Sequence, residues 1–215
     1  MGKNKMRLGI GAGCLAAFLL WTLMIRVVDV QAIGPLGTTV GLAGINQSVH
    51  KMTGVHPALY TVTDSLSLVP IGICMWFGLL GLTQWLRRKS LRSVDRSLLA
   101  LGGLYVVVIA AYLFFEHFAV NYRPVLIDGF LEPSYPSSTT LLVLCVMPTC
   151  MMQLEARSKR IFLKRCIALS IIAFTLFMVA GRLVSGVHWF SDIIGSVLLS
   201  AGLTALYSAV VHITE

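Results

Sequence analysis

The sequence has little charge and lacks the composition of a soluble domain. Only 12% of its 215 residues are charged, whereas 57% are hydrophobic and the mean hydropathy is +0.84. Soluble domains carry about 25% charged residues and lack long apolar runs. Apolar runs of about 20 residues are what a helix needs to cross a bilayer. The chain is therefore predicted to form one integral membrane domain over residues 1–215, with no separate soluble domain.

Residues that would build a disulfide framework or a metal site are also scarce. The five cysteines lie in or beside apolar runs, none falls in a predicted outer loop, and no CxxC motif occurs. This pattern favours neither disulfides nor a zinc site. The outer loops offer no cluster of carboxylates that would hold Mg²⁺ or Zn²⁺. No metal or other cofactor is expected.

The net charge of +8 comes mainly from three short basic clusters. They contain 13 of the 17 Lys and Arg residues: Lys3, Lys5 and Arg7; Arg87, Arg88, Lys89, Arg92 and Arg96; Arg157, Lys159, Arg160, Lys164 and Arg165. Short cationic loops are retained on the cytoplasmic side of a membrane. The clusters therefore indicate topology in preference to nucleic-acid binding or a phosphoinositide patch.

Hydropathy predicts six spans, at about 8–28, 66–86, 97–115, 138–154, 163–181 and 189–211. The basic clusters then put both termini in the cytoplasm and the loops 29–65, 116–137 and 182–188 outside. Pro148 is expected to kink or shorten the fourth span. Val30-Gln31-Ala32 resembles a signal-peptide cleavage site, but the preceding apolar run is long for a signal peptide, so the first span is predicted to be retained.

The long outer segment 34–65 carries apolar residues at nearly helical spacing: Val40, Leu42, Ile45, Val49 and Met52. Such spacing predicts a short amphipathic helix on the outer surface. A plain surface connector fits the same residues equally well.

Two polar motifs on the outer side are suited to an anion. In EHFAVNYRP, Arg123 is the only basic residue of the loop 116–137 and offers a two-pronged donor to phosphate. In PSYPSSTT, Pro136 suits the first position of a helix. The unpaired N–H groups of Ser137, Ser138 and Thr139 would then face an anion. Contact with lipid headgroups and ordinary helix capping are the alternatives.

A third motif, GRLVSGVHWFSDIIG, supplies a nucleophile. Arg182 follows the fifth span, and His188 and Asp192 stand four residues apart, on one face of the next helix. A carboxylate beside a histidine orients the ring and stabilises its cation, as in hydrolase triads. The alternative is an interfacial His and Asp beside Trp189. Together, the three motifs predict a phosphate-handling site at the outer membrane face.

These spacings resemble the type-2 phosphatidic acid phosphatase superfamily of membrane lipid phosphatases. Its motifs are Lys-x6-Arg-Pro, Pro-Ser-Gly-His and Ser-Arg-x5-His-x3-Asp, and here they span roughly 116–195. The resemblance implies an all-α polytopic membrane protein with an acid phosphatase/haloperoxidase-like helical core and metal-free catalysis. It implies that His188 is the nucleophile, that Asp192 orients it, and that Arg123 and Arg182 hold phosphate with Ser137 and the backbone of Ser138.

The chain departs from the family pattern at three positions. Glu116 replaces the motif Lys, Gly181 replaces a Ser, and Thr139 replaces the His that protonates the leaving group. Losing a general acid costs about 10²–10⁴ in rate. A diphosphate leaves readily without a proton, whereas an alcohol does not, so a polyprenyl diphosphate is the predicted substrate.

Two alternatives stay open. Another histidine could donate the proton, and the candidates are His117, His50 and His56. Otherwise the protein is a non-catalytic or transport-type relative that binds a phosphorylated lipid. Membrane lipids are the expected surroundings, no nucleic acid is expected as a partner, and small size with short loops favours a bacterial cytoplasmic membrane.

Overall fold

A computed structural model describes residues 2–157 and 160–214. Within these ranges the chain forms eight α-helices and no β-sheet: α1 (Gly2–Val27), α2 (Ala43–Thr53), α3 (Pro57–Leu66), α4 (Leu68–Arg88), α5 (Arg96–His117), α6 (Ser138–Arg157), α7 (Ile161–Val184) and α8 (Phe190–Thr214). Six helical segments are long and apolar enough to cross a membrane, with α3 and α4 counting as one. The all-α, six-span prediction is confirmed.

Two spans differ from their predicted limits. The second begins at Pro57 instead of residue 66, because α3 runs into α4 with only Ser67 between them and Pro57 suits a first helical turn. The fourth is not shortened, since α6 continues through Pro148 to Arg157. Within the turn around Pro148, the Thr149 hydroxyl donates to the Cys145 carbonyl at 2.7 Å.

The outer segment does form the predicted helix, α2, which carries three of the five apolar residues. Ile45 and Met52 are 53% and 85% exposed, and the first two of the five apolar residues precede the helix. The buried anchor is polar: Asn46 donates to the Ser191 hydroxyl at 2.9 Å and accepts from the Ser191 N–H at 3.0 Å. Hydrogen bonds to the start of α8 therefore hold α2, because an unpaired buried amide would be costly.

Helix α8 lies in the centre of the bundle. It packs along α1 and also contacts α5, α6 and α7. At the α1–α8 crossing, a Cβ on Gly11 would lie 3.3 Å from the Gly202 carbonyl, and one on Gly202 would lie 3.2 Å from the Gly11 carbonyl. Small residues let membrane helices approach closely in this way. More than half of the α6 and α8 spans is buried, so these two are the innermost spans of the bundle.

The basic clusters and the polar motifs lie at opposite ends of the bundle. Asp95 contacts Arg88 at 3.5 Å and Arg157 at 3.4 Å, which joins the α4–α5 and α6–α7 connections at one end. At the other end, the Trp21 indole donates to the Ser191 carbonyl at 3.0 Å. Lys159 of the third cluster lies outside the described residues. This separation is what the predicted topology requires.

Candidate active site

His188 lies in the connection between α7 and α8, with only 3% of its surface exposed. Its Nδ1 is 3.2 Å from the Ser134 carbonyl oxygen. A carbonyl can only accept a hydrogen bond, so Nδ1 carries the proton and donates it. The other ring nitrogen, Nε2, therefore presents a lone pair, which is the form that a nucleophilic histidine needs.

Two guanidinium groups converge on that nitrogen. Arg123 Nη1 is 3.3 Å and Arg182 Nη2 is 3.2 Å from His188 Nε2. Arginine only donates, so both contacts point N–H groups at one lone pair. Donors arranged around a nucleophile in this way can hold the oxygens of a phosphate while the nucleophile faces the phosphorus.

Each arginine is fixed from behind by a carboxylate. Arg123 Nε is 2.9 Å from Glu132 Oε2, and its backbone N–H donates to the Glu132 carbonyl. Arg182 Nη1 is 3.5 Å from Asp64 Oδ1, and its guanidinium carbon lies 5.0 Å from the centre of the Tyr60 ring. Arg182 Nε is buried without a hydrogen-bond partner, so this guanidinium keeps an unused donor.

The surroundings of His188 oppose its protonation. Burial is the main cause, and the charges of Arg123 and Arg182 add to it, so the pKa of His188 is held well below 6.5. The ring therefore stays neutral and nucleophilic at neutral pH. The Ser134 carbonyl acts in the opposite direction but does not outweigh these effects.

Asp192 meets His188 in a different geometry from the predicted one. The two residues do not share a helix face, because α8 begins only at Phe190 and His188 precedes it. Asp192 Oδ2 instead accepts the Trp189 N–H at 2.9 Å, which caps α8, and lies 3.7 Å from His188 Nδ1. At that distance Asp192 makes no hydrogen bond with the ring, and the Ser134 carbonyl holds the tautomer. Arg182 is likewise corrected: it lies in the last turn of α7, not after it.

A buried network of amides supports the carboxylate. Asn121 Nδ2 lies 3.4 Å from Asp192 Oδ1 and 3.4 Å from the Ser191 hydroxyl. Asn46 of α2 binds the same Ser191. Asn46, Asn121, Ser191 and Asp192 are all at most 1% exposed. The outer helix is thereby connected to the carboxylate through hydrogen bonds.

The second motif starts α6 two residues later than predicted. The helix begins at Ser138, not at Pro136, because the Ser137 carbonyl accepts the first intrahelical bond from Leu141. The Ser137 N–H lies 3.4 Å from the Asp192 carbonyl, and its hydroxyl donates to Thr140 at 3.0 Å. The donors of Ser137 are therefore directed into the protein.

His188 lines a small cavity of about 150 Å³. Its charged and polar lining consists of Glu116, Arg123, Glu132, Ser134, Ser138 and His188. Thr139 lines an adjoining, mainly apolar cavity of about 400 Å³ that shares Tyr112, Ser138 and Leu141 with the first and also includes Asp64. Of the predicted phosphate-binding residues, Arg123 and Ser138 line the small cavity, and Arg182 reaches His188 beside it.

The sequence profile of the PAP2 superfamily matches residues 97–214, which is more than half of the chain. The chain belongs to the PAP2 superfamily. All three motifs lie within the matched region, and so do both helices that carry most of the buried site. The predicted family is thereby confirmed.

A solved structure supports the PAP2 fold over nearly the whole chain. It is described as the first transmembrane PAP2-type phosphatidylglycerolphosphate phosphatase from Bacillus subtilis, and it is similar with a TM-score of 0.62. The match covers 93% of this chain and 94% of that one at 17% identity, so it concerns the fold. No curated protein matches the sequence significantly.

The three histidines considered as substitutes for the missing PAP2 acid do not line the cavity beside His188. His117 packs against Phe118, with 4.7 Å between ring centres, and His50 packs against Trp189 at 5.4 Å. His56 Nε2 is 2.8 Å from the Thr53 carbonyl. Each is held by contacts away from the reactive nitrogen, so the predicted alternative donors lack direct support from the geometry.

Several residues of this PAP2 site were missed by the sequence analysis. The Ser134 carbonyl could not be found because any residue type supplies one. Asp64 is far from Arg182 in sequence, and Glu132, although nine residues after Arg123, lies outside the three motifs. Asn121 carried a usable signal, since it stands two residues before Arg123 inside the first motif.

Proposed function

We propose that the protein is a lipid-phosphate phosphatase that works through a phosphohistidine on His188. The observation that carries the proposal is the convergence of Arg123 and Arg182 on the unprotonated Nε2. Two cations around one neutral nucleophile leave a place for an anion between them. PAP2 membership and the six apolar helices make a phosphorylated lipid the matching substrate class.

The reaction divides into two displacements at phosphorus. In the first, Nε2 forms a bond to phosphorus while the bond to the lipid oxygen breaks, and the leaving oxygen takes the electron pair. In the second, water attacks phosphorus, inorganic phosphate leaves and Nε2 regains its lone pair. Asp192, at 3.7 Å from Nδ1, offsets the positive charge that the ring carries in between.

The leaving group is proposed to be a phosphate ester, as in a polyprenyl diphosphate. Thr139 cannot protonate an alcohol near neutral pH, and it faces a different cavity from His188. A departing phosphate is stable as an anion, so it needs no such proton.

Action at the outer leaflet is proposed from the separation of charges along the bundle. The described basic residues lie at the end that the positive-inside rule keeps in the cytoplasm. His188 lies at the opposite end, together with the α1–α2 connection and the start of α8.

The test is phosphate release by purified wild type and His188→Ala on polyprenyl diphosphate, phosphatidic acid and phosphatidylglycerol phosphate in mixed micelles. His117→Ala is the matched control, since it removes a histidine that contacts Phe118 instead of the arginines. We expect His188→Ala to lose release by at least about 10⁴-fold and His117→Ala to retain it. Wild type should prefer the diphosphate.

Equal phosphate release by wild type and His188→Ala on every substrate would refute the proposed enzymatic function. Saturable binding of the same lipids without release would instead support a non-catalytic or transport-type relative. Glu116, a carboxylate in the cavity, is the observation that favours this second function.

A further inference from the structure

A second cavity lies between α4 and α5, away from His188. It has a volume of about 340 Å³ and an almost wholly apolar lining. On α4 it follows one helix face from Cys74 through Gly78 and Gly81 to Trp85, and on α5 it includes Gly102. We call it the α4–α5 groove. Gly78 and Trp85 are exposed, so the groove opens on the outer surface of the bundle.

The glycines of this groove make room that the chain itself does not fill. A Cβ added to Gly78, Gly81 or Gly102 would meet nothing within 4 Å. Gly11 and Gly202, by contrast, are in contact across the α1–α8 crossing. Because glycine is unfavourable inside a helix, three of them around an unfilled space indicate that something else occupies it.

The length of the groove fits a hydrocarbon chain. Cys74 and Trp85 are eleven residues apart on α4, so the helical rise gives the groove a length of about 16 Å. This length is roughly half the thickness of a bilayer's apolar core. An extended acyl chain of one leaflet matches that length.

The groove ends at the second basic cluster. Leu91 and Val94 of the α4–α5 connection form its rim. Arg88 is engaged by Asp95 and the Ser93 carbonyl. Four exposed cations beside the rim have no acidic partner among the described residues: Arg87, Lys89, Arg92 and Arg96. Basic pockets between membrane helices at this level bind anionic lipid headgroups.

We propose that the α4–α5 groove binds one anionic phospholipid. An acyl chain lies along the glycines, and the phosphate of the headgroup contacts the free arginines and Lys89. This site is separate from the active site and does not depend on the proposed reaction. Charge complementarity at the rim and the apolar lining favour an anionic lipid over a protein partner.

The test is native mass spectrometry of the full chain titrated with phosphatidylglycerol or with phosphatidylcholine. Wild type should retain one phosphatidylglycerol with about tenfold preference over phosphatidylcholine. Gly81→Leu fills the groove and should weaken retention about tenfold. Gly72→Leu is the matched control, because Gly72 lies on the same helix, meets nothing within 4 Å and does not line the groove.

Two further variants separate the sources of binding. Arg92→Gln with Arg96→Gln should remove the preference for phosphatidylglycerol, whereas Lys3→Gln with Lys5→Gln should keep it. Arg123→Gln should leave retention unchanged, which excludes binding in the cavity beside His188. Equal retention of both lipids by wild type, or unchanged retention in Gly81→Leu, would overturn the proposal. A lower dimer fraction in Gly81→Leu without loss of lipid would assign the groove to a second copy.

Discussion

The two halves of the active site differ in how firmly they are built. The nucleophile half, with His188 and Asp192, is buried, and contacts from several helices and connections hold every polar atom of the ring and carboxylate. The leaving-group half, with Glu116, Ser138 and Thr139, includes an exposed carboxylate and a threonine that faces another cavity. In the proposed mechanism, attack on phosphorus and release of the lipid therefore place separate requirements on the site. Only the nucleophile half has all the groups that its step needs.

The largest expected effect comes from breaking the nucleophile half. Asp192→Asn keeps the shape of the side chain but removes the charge near the ring, so kcat should fall about 10³–10⁴-fold. Steady-state kinetics on a polyprenyl diphosphate measures it. Asp64→Asn is the control, because Asp64 contacts Arg182 but not His188. It should act mainly on KM. A loss of kcat in Asp64→Asn equal to that in Asp192→Asn would contradict the assigned roles.

The next effect comes from completing the leaving-group half. Thr139→His restores a possible acid at a position whose 400 Å³ cavity has room for a larger side chain. Turnover of phosphatidic acid should rise by about 10–10² relative to the diphosphate. Thr139→Gln, similar in size but without an acid, should give no rise. If both variants raise turnover alike, space and not a proton limits this substrate.

A smaller effect is expected from the amide network behind Asp192. Asn121→Ala removes a donor to the carboxylate, so kcat should fall about tenfold with KM unchanged, and the acidic limb of the pH–rate profile should move to higher pH. Asn46→Ala removes contacts with Ser191 and with the Gly41 carbonyl, and none with Asp192. It should lower thermal stability without moving that limb. An identical pH profile for wild type and Asn121→Ala would show that Asn121 has only a structural role.

The smallest effect concerns pH. Because burial and two guanidiniums hold the pKa of His188 well below 6.5, the ring is neutral above that lowered value. The kcat/KM of wild type should therefore change less than twofold through ionisation of His188 between pH 7 and 6. Arg123→Gln removes one of the charges, so its acidic limb should lie at higher pH. Because both proteins are measured on the same substrate, titration of the substrate affects the wild-type and Arg123→Gln profiles equally. Superimposable profiles would show that the Arg123 charge does not lower the pKa of His188.

Much of the fold could be predicted because apolar runs and basic loops are local signals. The six spans need only length and hydropathy, and they were found. Their ends were harder, as Pro57 shows: the helix starts where a proline permits it, not where the apolar run begins. The buried anchor of α2 could not be predicted because it depends on Ser191, which lies 145 residues from Asn46.

The candidate site was predictable in its chemistry but not in its geometry. The spacing of Arg182, His188 and Asp192 selected three residues that the fold brings together, yet His188 and Asp192 were assigned to one helix, whereas α8 begins only at Phe190. The Ser134 carbonyl holds the ring from a loop 54 residues away. The role of such a backbone carbonyl cannot be predicted from a sequence, because every residue has one.

The hydrogen bond from Trp21 to the Ser191 carbonyl has a consequence for biogenesis. It joins α1 to a helix made 170 residues later, and the Thr22 hydroxyl adds a contact of 2.7 Å to Tyr135 in the site wall. During synthesis α1 emerges and inserts long before its partner exists. The wall around His188 can therefore be completed only after α8 has been synthesised.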